Sequence, residues 1–328
     1  MRLDLTKHTL VQTTVTFFLL FILFLTSDTI SYHEPTSWRG YTHLAGSIFM
    51  SIGAIPMLAI ALSLTLTVIN SFLVTRIMLR FISLSDKNYI AAITYLTLTA
   101  ATSSLTSNFH TQAIIFLIIV SIETIFMLNR YNDIVRQTFL ACTYTGIASI
   151  LFLPSALLYL ALFVYMITYR IVTFKGLLAS VTGLLLPLFL YCYITWAAGG
   201  KFLAPVNEIY DITDSILLHK SFSIFTVTIP QYIFIALCIF LAVQGFWRMA
   251  MAANHINAIT VRSYVCFMYL LVVLTVMLVL AYGTSYTLLP LMTVPLSVII
   301  SVLFRQMPNI YVKNAIAIAF VILALIIA

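Results

Sequence analysis

Runs of apolar residues, each long enough to cross a membrane as a helix, repeat along almost the whole chain. A spanning helix needs about 20 predominantly apolar residues, with a range near 17–25. The runs predict about eleven spanning segments, at 9–27, 45–70, 89–105, 111–128, 134–152, 154–169, 176–197, 227–247, 263–282, 286–304 and 312–328. Only 8% of the residues are charged, whereas a soluble globular protein carries roughly 25%. The sequence therefore predicts an all-α polytopic integral membrane protein, with residues 1–328 forming a single transmembrane domain.

Pro154 divides two of these runs and leaves two arrangements open. Residues 134–152 and 154–169 form either two full spans or a re-entrant hairpin. The first run follows basic residues, as a signal peptide does, but Thr26-Ser27 is a poor cleavage site, so we expect the run to be retained. The four cysteines all fall inside apolar runs, where we expect small apolar residues rather than disulfides.

The basic residues gather on alternate loops, and this distribution predicts the orientation, because cytoplasmic loops are enriched in Lys and Arg. With the N-terminus inside, every Lys and Arg except Arg39, Lys201 and Lys220 falls in or beside an inner loop. We therefore predict an N-in, C-out topology. The net charge of +7 does not indicate nucleic-acid binding, because the basic residues are scattered singly between apolar runs.

Two outer loops, 27–44 and 198–226, are long enough to carry a function. In the second, Gly199 and Gly200 let the chain turn onto the membrane surface. Apolar residues then recur at helical spacing, and acidic and polar residues take the opposite side. The apolar set is Val206, Ile209, Tyr210, Ile216 and Leu217, and the polar set is Glu208, Asp211, Asp214 and Ser215. This pattern predicts an amphipathic helix lying along the outer interface.

The first outer loop gathers the side chains that could carry chemistry. Asp28 follows the first span directly, where a carboxylate beside a low-dielectric bundle can act as acid, base or metal ligand. Asp28 and Glu34 are therefore the candidate catalytic residues if the protein is an enzyme; the simpler alternative is a helix-end acid facing water. His33 and Glu34, with His43 nearby, could hold a divalent metal, although their spacing matches no zinc or calcium pattern.

The three outer cations are candidates for phosphate binding, with Arg39 offering a planar fork and Lys201 a point charge. They could equally balance the neighbouring acids. Glu123 is the acid inside an apolar span, where ionisable groups are costly and usually face a partner or a wet cavity. We predict an intramembrane ion pair between Glu123 and Arg130, with Arg136 or Arg76 as other partners, in preference to a proton relay.

Residues 89–175 form the part of the chain that resembles a known family. An apolar run, a short polar outer loop at Thr106–His110 and a second apolar run precede a basic inner loop at Asn129–Arg136. The segment Thr145–Leu158 then joins a Gly-containing helix to a turn that begins with proline. This order resembles the membrane core of the glycosyltransferase C superfamily. Continued through Tyr193, it also resembles a family of uncharacterised polytopic bacterial envelope proteins.

The resemblance implies a bacterial inner (plasma) membrane and an acidic residue in the first outer loop. It also implies a polyprenyl-phosphate-linked sugar donor and, in many members, a divalent metal. Asp28 is the position that matches, and Thr29 stands where many members carry a second acid.

Two functions from different classes follow from these observations. The first is a non-catalytic subunit of a cell-envelope assembly or export complex, with Trp38, Tyr41, Glu208, Tyr210 and Asp211 contacting the partner. The alternative is a glycosyltransferase acting at the outer face of the membrane, and a transporter is third. We favour the first because outer cations and paired acids are sparse. We expect the lipid bilayer and other membrane or envelope proteins as partners, a polyprenyl-phosphate lipid if the protein is an enzyme, and no nucleic acid. We expect no cofactor, apart from a divalent metal if it is an enzyme.

Overall fold

The computed structural model describes residues 14–16, 18–19, 40–82, 89–106, 109–129, 133–168, 172–218, 229–252, 258–280 and 285–327. All regular structure within these residues is helical. The helices are α1 (His43–Gly53), α2 (Pro56–Phe81), α3 (Ile90–Thr106), α4 (Phe109–Phe126), α5 (Ile134–Leu151), α6 (Leu158–Thr168), α7 (Phe174–Ala197), α8 (Ala204–Leu218), α9 (Ile229–Ala252), α10 (Ala258–Leu280), α11 (Ser285–Gln306) and α12 (Ile310–Ile327). Short 3₁₀ turns at Met127–Asn129 and Leu153–Leu157 follow α4 and precede α6.

Eight of the described helices are long and apolar enough to cross a membrane. They are α2, α4, α5, α7, α9, α10, α11 and α12. Three further apolar stretches are shorter, at His43–Gly53, Ile90–Thr102 and Leu153–Thr168. The prediction of an all-helical, multi-pass membrane protein is confirmed at this level.

The predicted span at 45–70 is wrong, because the chain breaks within it. Helix α1 ends at Gly53, Ile55 is extended, and Pro56 begins a second helix that continues to Phe81. Proline has no backbone N–H to donate and a fixed φ, so it suits the first turn of a helix and interrupts a helix interior. Apolar residues continue on both sides of the break, which is why hydropathy alone did not reveal it.

Helices α4 and α11 form the centre of the bundle. In α4 and α11, 72% and 78% of the most apolar 18-residue stretch is buried inside the bundle, against 17–39% in the other six candidate spans. Helix α4 contacts α2 and α5, and α11 contacts α3, α9 and α10. Buried hydroxyls on α11 donate back to carbonyls three residues earlier, at Thr293, Ser297 and Ser301. Their small size lets neighbouring helices approach closely without leaving a hydroxyl unpaired.

Helices α5 and α7 make the most extensive helix–helix contact of the described bundle. A Cβ atom added to Gly183 would lie 2.5 Å from the Phe139 carbonyl oxygen, and one added to Gly146 would lie 2.6 Å from that of Leu184. The two backbones therefore touch at positions that only glycine permits, as in membrane helix pairs built on small residues. Both helices begin at the same end of the bundle and run parallel.

Candidate functional site

Most of the predicted chemistry of the first outer loop lies outside the described residues. This applies to Asp28, His33, Glu34, Trp38 and Arg39. The description of that loop begins at Gly40, which has a φ of 92°, and continues through Tyr41 and Thr42 into α1. The candidate site is therefore built from Gly40–His43 and the groups that hold this segment.

Tyr41 anchors the segment in a cluster of rings. Its ring centroid lies 5.2 Å from that of His110 on α4 and 5.3 Å from that of Phe152 at the end of α5. Phe49 on α1 packs against His110 as well, with centroids 5.4 Å apart. Tyr41 is 7% exposed and His110 is 6% exposed. Tyr41 was predicted to contact a partner protein, whereas in the structure its side chain is buried inside this chain.

Thr42 joins α1 to α5 through one hydroxyl group. Its Oγ1 accepts a hydrogen bond from the Ala45 N–H at 3.3 Å and so caps the start of α1. The same hydroxyl donates to the Ile150 carbonyl at 2.7 Å. Residue 154 would normally donate to that carbonyl in a continuing helix, but it is a proline and has no N–H. Thr42 thus satisfies groups at two helix ends.

Glu208 ties α8 to the start of α1. One carboxylate oxygen accepts a hydrogen bond from the backbone N–H of His43, the first residue of α1. The other accepts from the Tyr191 hydroxyl on α7 at 2.8 Å. A carboxylate at a helix N-terminus also interacts favourably with the helix dipole. Helix α8 is therefore fixed against the beginning of α1 and the end of α7.

A helix is present in 198–226 as α8, and its burial against the bundle does not follow the predicted apolar and polar faces. Glu208 lies on the inward-facing side with Ile209, Ile212 and Ile216, all of which are partly buried. Tyr210, by contrast, is 73% exposed. The helix turns this way because the backbone N–H at the start of α1 donates a hydrogen bond to the Glu208 carboxylate. A pattern of polarity along one helix contains no information about that distant partner.

The exposed face of α8 carries a stripe of polar and aromatic residues at positions i, i+3, i+4 and i+7. We call this the outer stripe, and it consists of Asn207, Tyr210, Asp211 and Asp214. All four residues are exposed in the structure. Two carboxylates beside an exposed tyrosine give the stripe a negative charge and one large amphipathic ring.

Lys201 lies exposed in the turn between α7 and α8. Gly199 in that turn has a φ of 86°, which glycine adopts without strain, and the chain changes direction there between α7 and α8. Arg39 and Lys220 lie outside the described residues. The phosphate-binding role of Lys201 stays a prediction.

Glu123 forms an ion pair with Arg76. Its Oε1 lies 2.8 Å from Nη2 of Arg76 and 3.9 Å from Nη1 of Arg80, both on α2. The Glu123 side chain is 9% exposed and that of Arg76 is 46% exposed, so the arginine brings a solvated charge to a nearly enclosed carboxylate. Arg130, the first partner predicted, lies outside the described residues.

A buried hydrogen-bond network was missed in the sequence. Asn70 on α2 donates from Nδ2 to both the backbone oxygen and Oε1 of Gln112 on α4, each at 3.1 Å. Tyr95 on α3 donates its hydroxyl to the same Oε1 at 3.1 Å. Uncharged polar residues inside apolar runs were the available signal, since such groups need partners in a membrane interior.

No group of three or more His, Cys, Asp or Glu side chains that could hold a metal ion occurs among the residues the structure describes. Comparisons with protein families, curated proteins and solved structures find no match for this chain. The resemblance to the glycosyltransferase C superfamily therefore stays a prediction, as do the roles it implies for Asp28 and a metal. The contacts and the exposed face of α8 are the part of the described structure from which a function can be inferred.

Proposed function

We propose that this protein is a non-catalytic subunit of a cell-envelope assembly or export complex, and that it docks a partner protein on the outer stripe of α8. The observation that carries this proposal is the combination of a fixed helix and an exposed face. Glu208 holds α8 on the bundle, while Tyr210 and Asp211 remain exposed. A rigid surface loses less conformational entropy on binding than a mobile loop does.

The engagement of Glu208 supports a structural role for this outer carboxylate. One of its oxygens accepts a backbone N–H and the other a tyrosine hydroxyl. A carboxylate held in this way serves to position α8. Of the residues we expected to contact the partner, Tyr210 and Asp211 are the ones whose described side chains are exposed.

The chemistry of the stripe indicates the kind of partner surface that would fit. Tyrosine is enriched among the residues that contribute most to protein–protein affinity. Asp211 and Asp214 would favour a basic partner patch and would disfavour an acidic one. The proposed partner therefore presents Lys or Arg around a pocket that accepts the Tyr210 ring.

The wider setting belongs to the same proposal. The chain would lie in a bacterial inner membrane with about eleven spans, N-in and C-out, and a core similar to that of the glycosyltransferase C superfamily. In that orientation the outer stripe faces away from the cytoplasm. The eight described helices that are long and apolar enough to span a membrane support a chain that crosses it many times.

Site-specific photo-crosslinking in the native membrane tests the proposal. A photoreactive phenylalanine analogue replaces Tyr210, and the matched control replaces Tyr311, which is similarly exposed at 71% on α12. We expect one defined protein adduct from position 210 and none from position 311. Asp211→Lys in the same background should lower the yield of that adduct at least about tenfold, because it places a like charge opposite the basic patch.

Two other outcomes would each favour a different function. One outcome is that position 210 gives no protein adduct while the gently extracted protein carries a polyprenyl-phosphate lipid in native mass spectrometry. This result would favour the glycosyltransferase alternative. Asp28→Asn would then be the next variant to assay. If neither adduct nor lipid is found, transport becomes the function to test.

A further inference from the structure

A groove lies between α5 and α7 at the end of the bundle where both helices begin. Its volume is about 510 Å³. Arg136 and Lys175 line it from opposite walls, and Phe139, Leu178 and Thr182 also line it. The close backbone contact between Gly183 and Phe139 holds the two walls together. The groove is therefore part of the most extensive helix–helix contact of the described bundle.

The charge at the mouth of the groove is net positive. Arg136 and Lys175 are both exposed, and Asp133 is the acid that lines the groove. The Asp133 carboxylate accepts a hydrogen bond from the backbone N–H of Arg136 at 3.4 Å and so caps α5. This hydrogen bond does not involve the Arg136 guanidinium. An anion at the mouth would meet two cations and the positive ends of two helix dipoles.

Below the mouth, the surface becomes apolar and continues along α7. Leu178 lines the groove, and Val181 and Leu185 follow it on the exposed side of the same helix. In a spanning helix such exposed apolar side chains face lipid acyl chains. The groove thus combines a cationic mouth at the membrane surface with an apolar track leading into the bilayer.

We propose that this groove binds an anionic phospholipid. Arg136 and Lys175 would hold the headgroup phosphate, and an acyl chain would lie over Phe139 and Leu178. Charge complementarity selects an anionic lipid over a zwitterionic one, because basic pockets between spanning helices attract anionic headgroups. The site is independent of the outer stripe.

Native mass spectrometry of the full-length protein tests the site. Purified protein is titrated with phosphatidylglycerol and, separately, with phosphatidylcholine. We expect preferential retention of phosphatidylglycerol, and a loss of roughly fivefold for each of Arg136→Gln and Lys175→Gln. Arg262→Gln removes an exposed cation on α10 that does not line the groove and should leave retention unchanged. Lys175→Arg keeps the charge and should retain wild-type binding.

Three results would each overturn the proposal. One is equal retention of the two lipids by the wild-type protein. Another is a loss in Arg262→Gln as large as that in Lys175→Gln. The third is displacement of the lipid by millimolar inorganic phosphate, which would identify a phosphate site with no acyl-chain contribution. Melting temperatures of the variants show whether each remains folded, so that a loss of binding is not confused with a loss of structure.

Discussion

At the scale of single residues, the Thr42 hydroxyl shows how a break in a membrane helix is made tolerable. The Ile150 carbonyl lies near the end of α5 and lacks its usual donor because of Pro154. In a membrane an unpaired carbonyl costs several kcal/mol. Thr42 provides the missing donor and caps α1 with the same atom.

Replacing Thr42 by valine should destabilise the protein by about 1–3 kcal/mol, because one cap and one hydrogen bond are lost at constant shape. Thr42→Ser keeps the hydroxyl and should stay close to wild type. The measurement is the melting temperature of detergent-solubilised protein, followed by size-exclusion chromatography after heating. Equal melting temperatures for the valine and serine variants would contradict the bridging role.

The Glu123–Arg76 ion pair gives a second expectation. Arg76→Met leaves a nearly enclosed carboxylate whose remaining cationic neighbour among the described residues is Arg80, at 3.9 Å. The substitution should cost about 1–3 kcal/mol. The double variant Arg76→Met, Glu123→Met removes both charges and should be less destabilised than the two single effects added together. Melting temperatures of the wild type, the two single variants Arg76→Met and Glu123→Met, and the double variant give the coupling energy between the two side chains. Strict additivity would mean that the two side chains do not interact.

The same pair shows how far sequence reasoning reaches at this scale. A carboxylate alone in an apolar run indicated a cationic partner, because an unpaired charge there is costly. Choosing among Arg76, Arg130 and Arg136 required knowing which helices are neighbours. The contact of α2 with α4 brings Arg76 to Glu123, and no feature of local sequence specifies that contact.

At the scale of helices, the α5–α7 contact depends on the absence of two side chains. Gly183→Ala would place a methyl group 2.5 Å from a backbone oxygen, so the helices would have to move apart. We expect a loss of folded protein, measured as the monodisperse fraction after extraction, together with a lower melting temperature. Gly46→Ala on α1 is the matched control, because no atom lies within 4 Å of the added methyl. A Gly183→Ala variant as stable as Gly46→Ala would contradict the packing described.

Helices also mark the boundary of what the sequence could predict. Length and apolar composition located the spanning helices well, because those properties determine whether a segment can enter a bilayer. The break at Pro56 and the rotation of α8 were not predicted. The rotation of α8 depends on a contact between segments distant in the chain, that between Glu208 and His43. The break at Pro56 is local, but the apolar residues on both sides of it conceal it from hydropathy.

For the whole molecule, the predicted orientation is open to a direct chemical test. Lys201 and Lys175 are both exposed and are predicted on opposite sides of the membrane. Cys142, Cys192, Cys238 and Cys266 are all buried, so the native thiols give a low labelling background. A membrane-impermeant maleimide applied to intact cells should label Lys201→Cys and spare Lys175→Cys until the membrane is opened. The reverse pattern would establish the opposite topology.

At this scale the class of protein followed from charge content and hydropathy. A chain with 8% charged residues can bury its surface only in lipid or in a partner. The arrangement of helices around α4 and α11 did not follow, because the apolar residues of both helices are spread over all sides and hydrophobic patterning assigns the helices no preferred neighbour.

The Glu208–His43 contact has a consequence for the order in which the protein is made. The two residues are 165 positions apart in the chain. At a synthesis rate of about 5–20 residues per second, Glu208 leaves the ribosome roughly 10–30 s after His43. During that interval the first turn of α1 has no carboxylate to accept its N–H groups and must rely on water or on Thr42. The surface formed by α8 and the start of α1 is therefore completed late, only after more than half of the chain has been synthesised. A nascent chain arrested before α8 would present an unfinished start of α1.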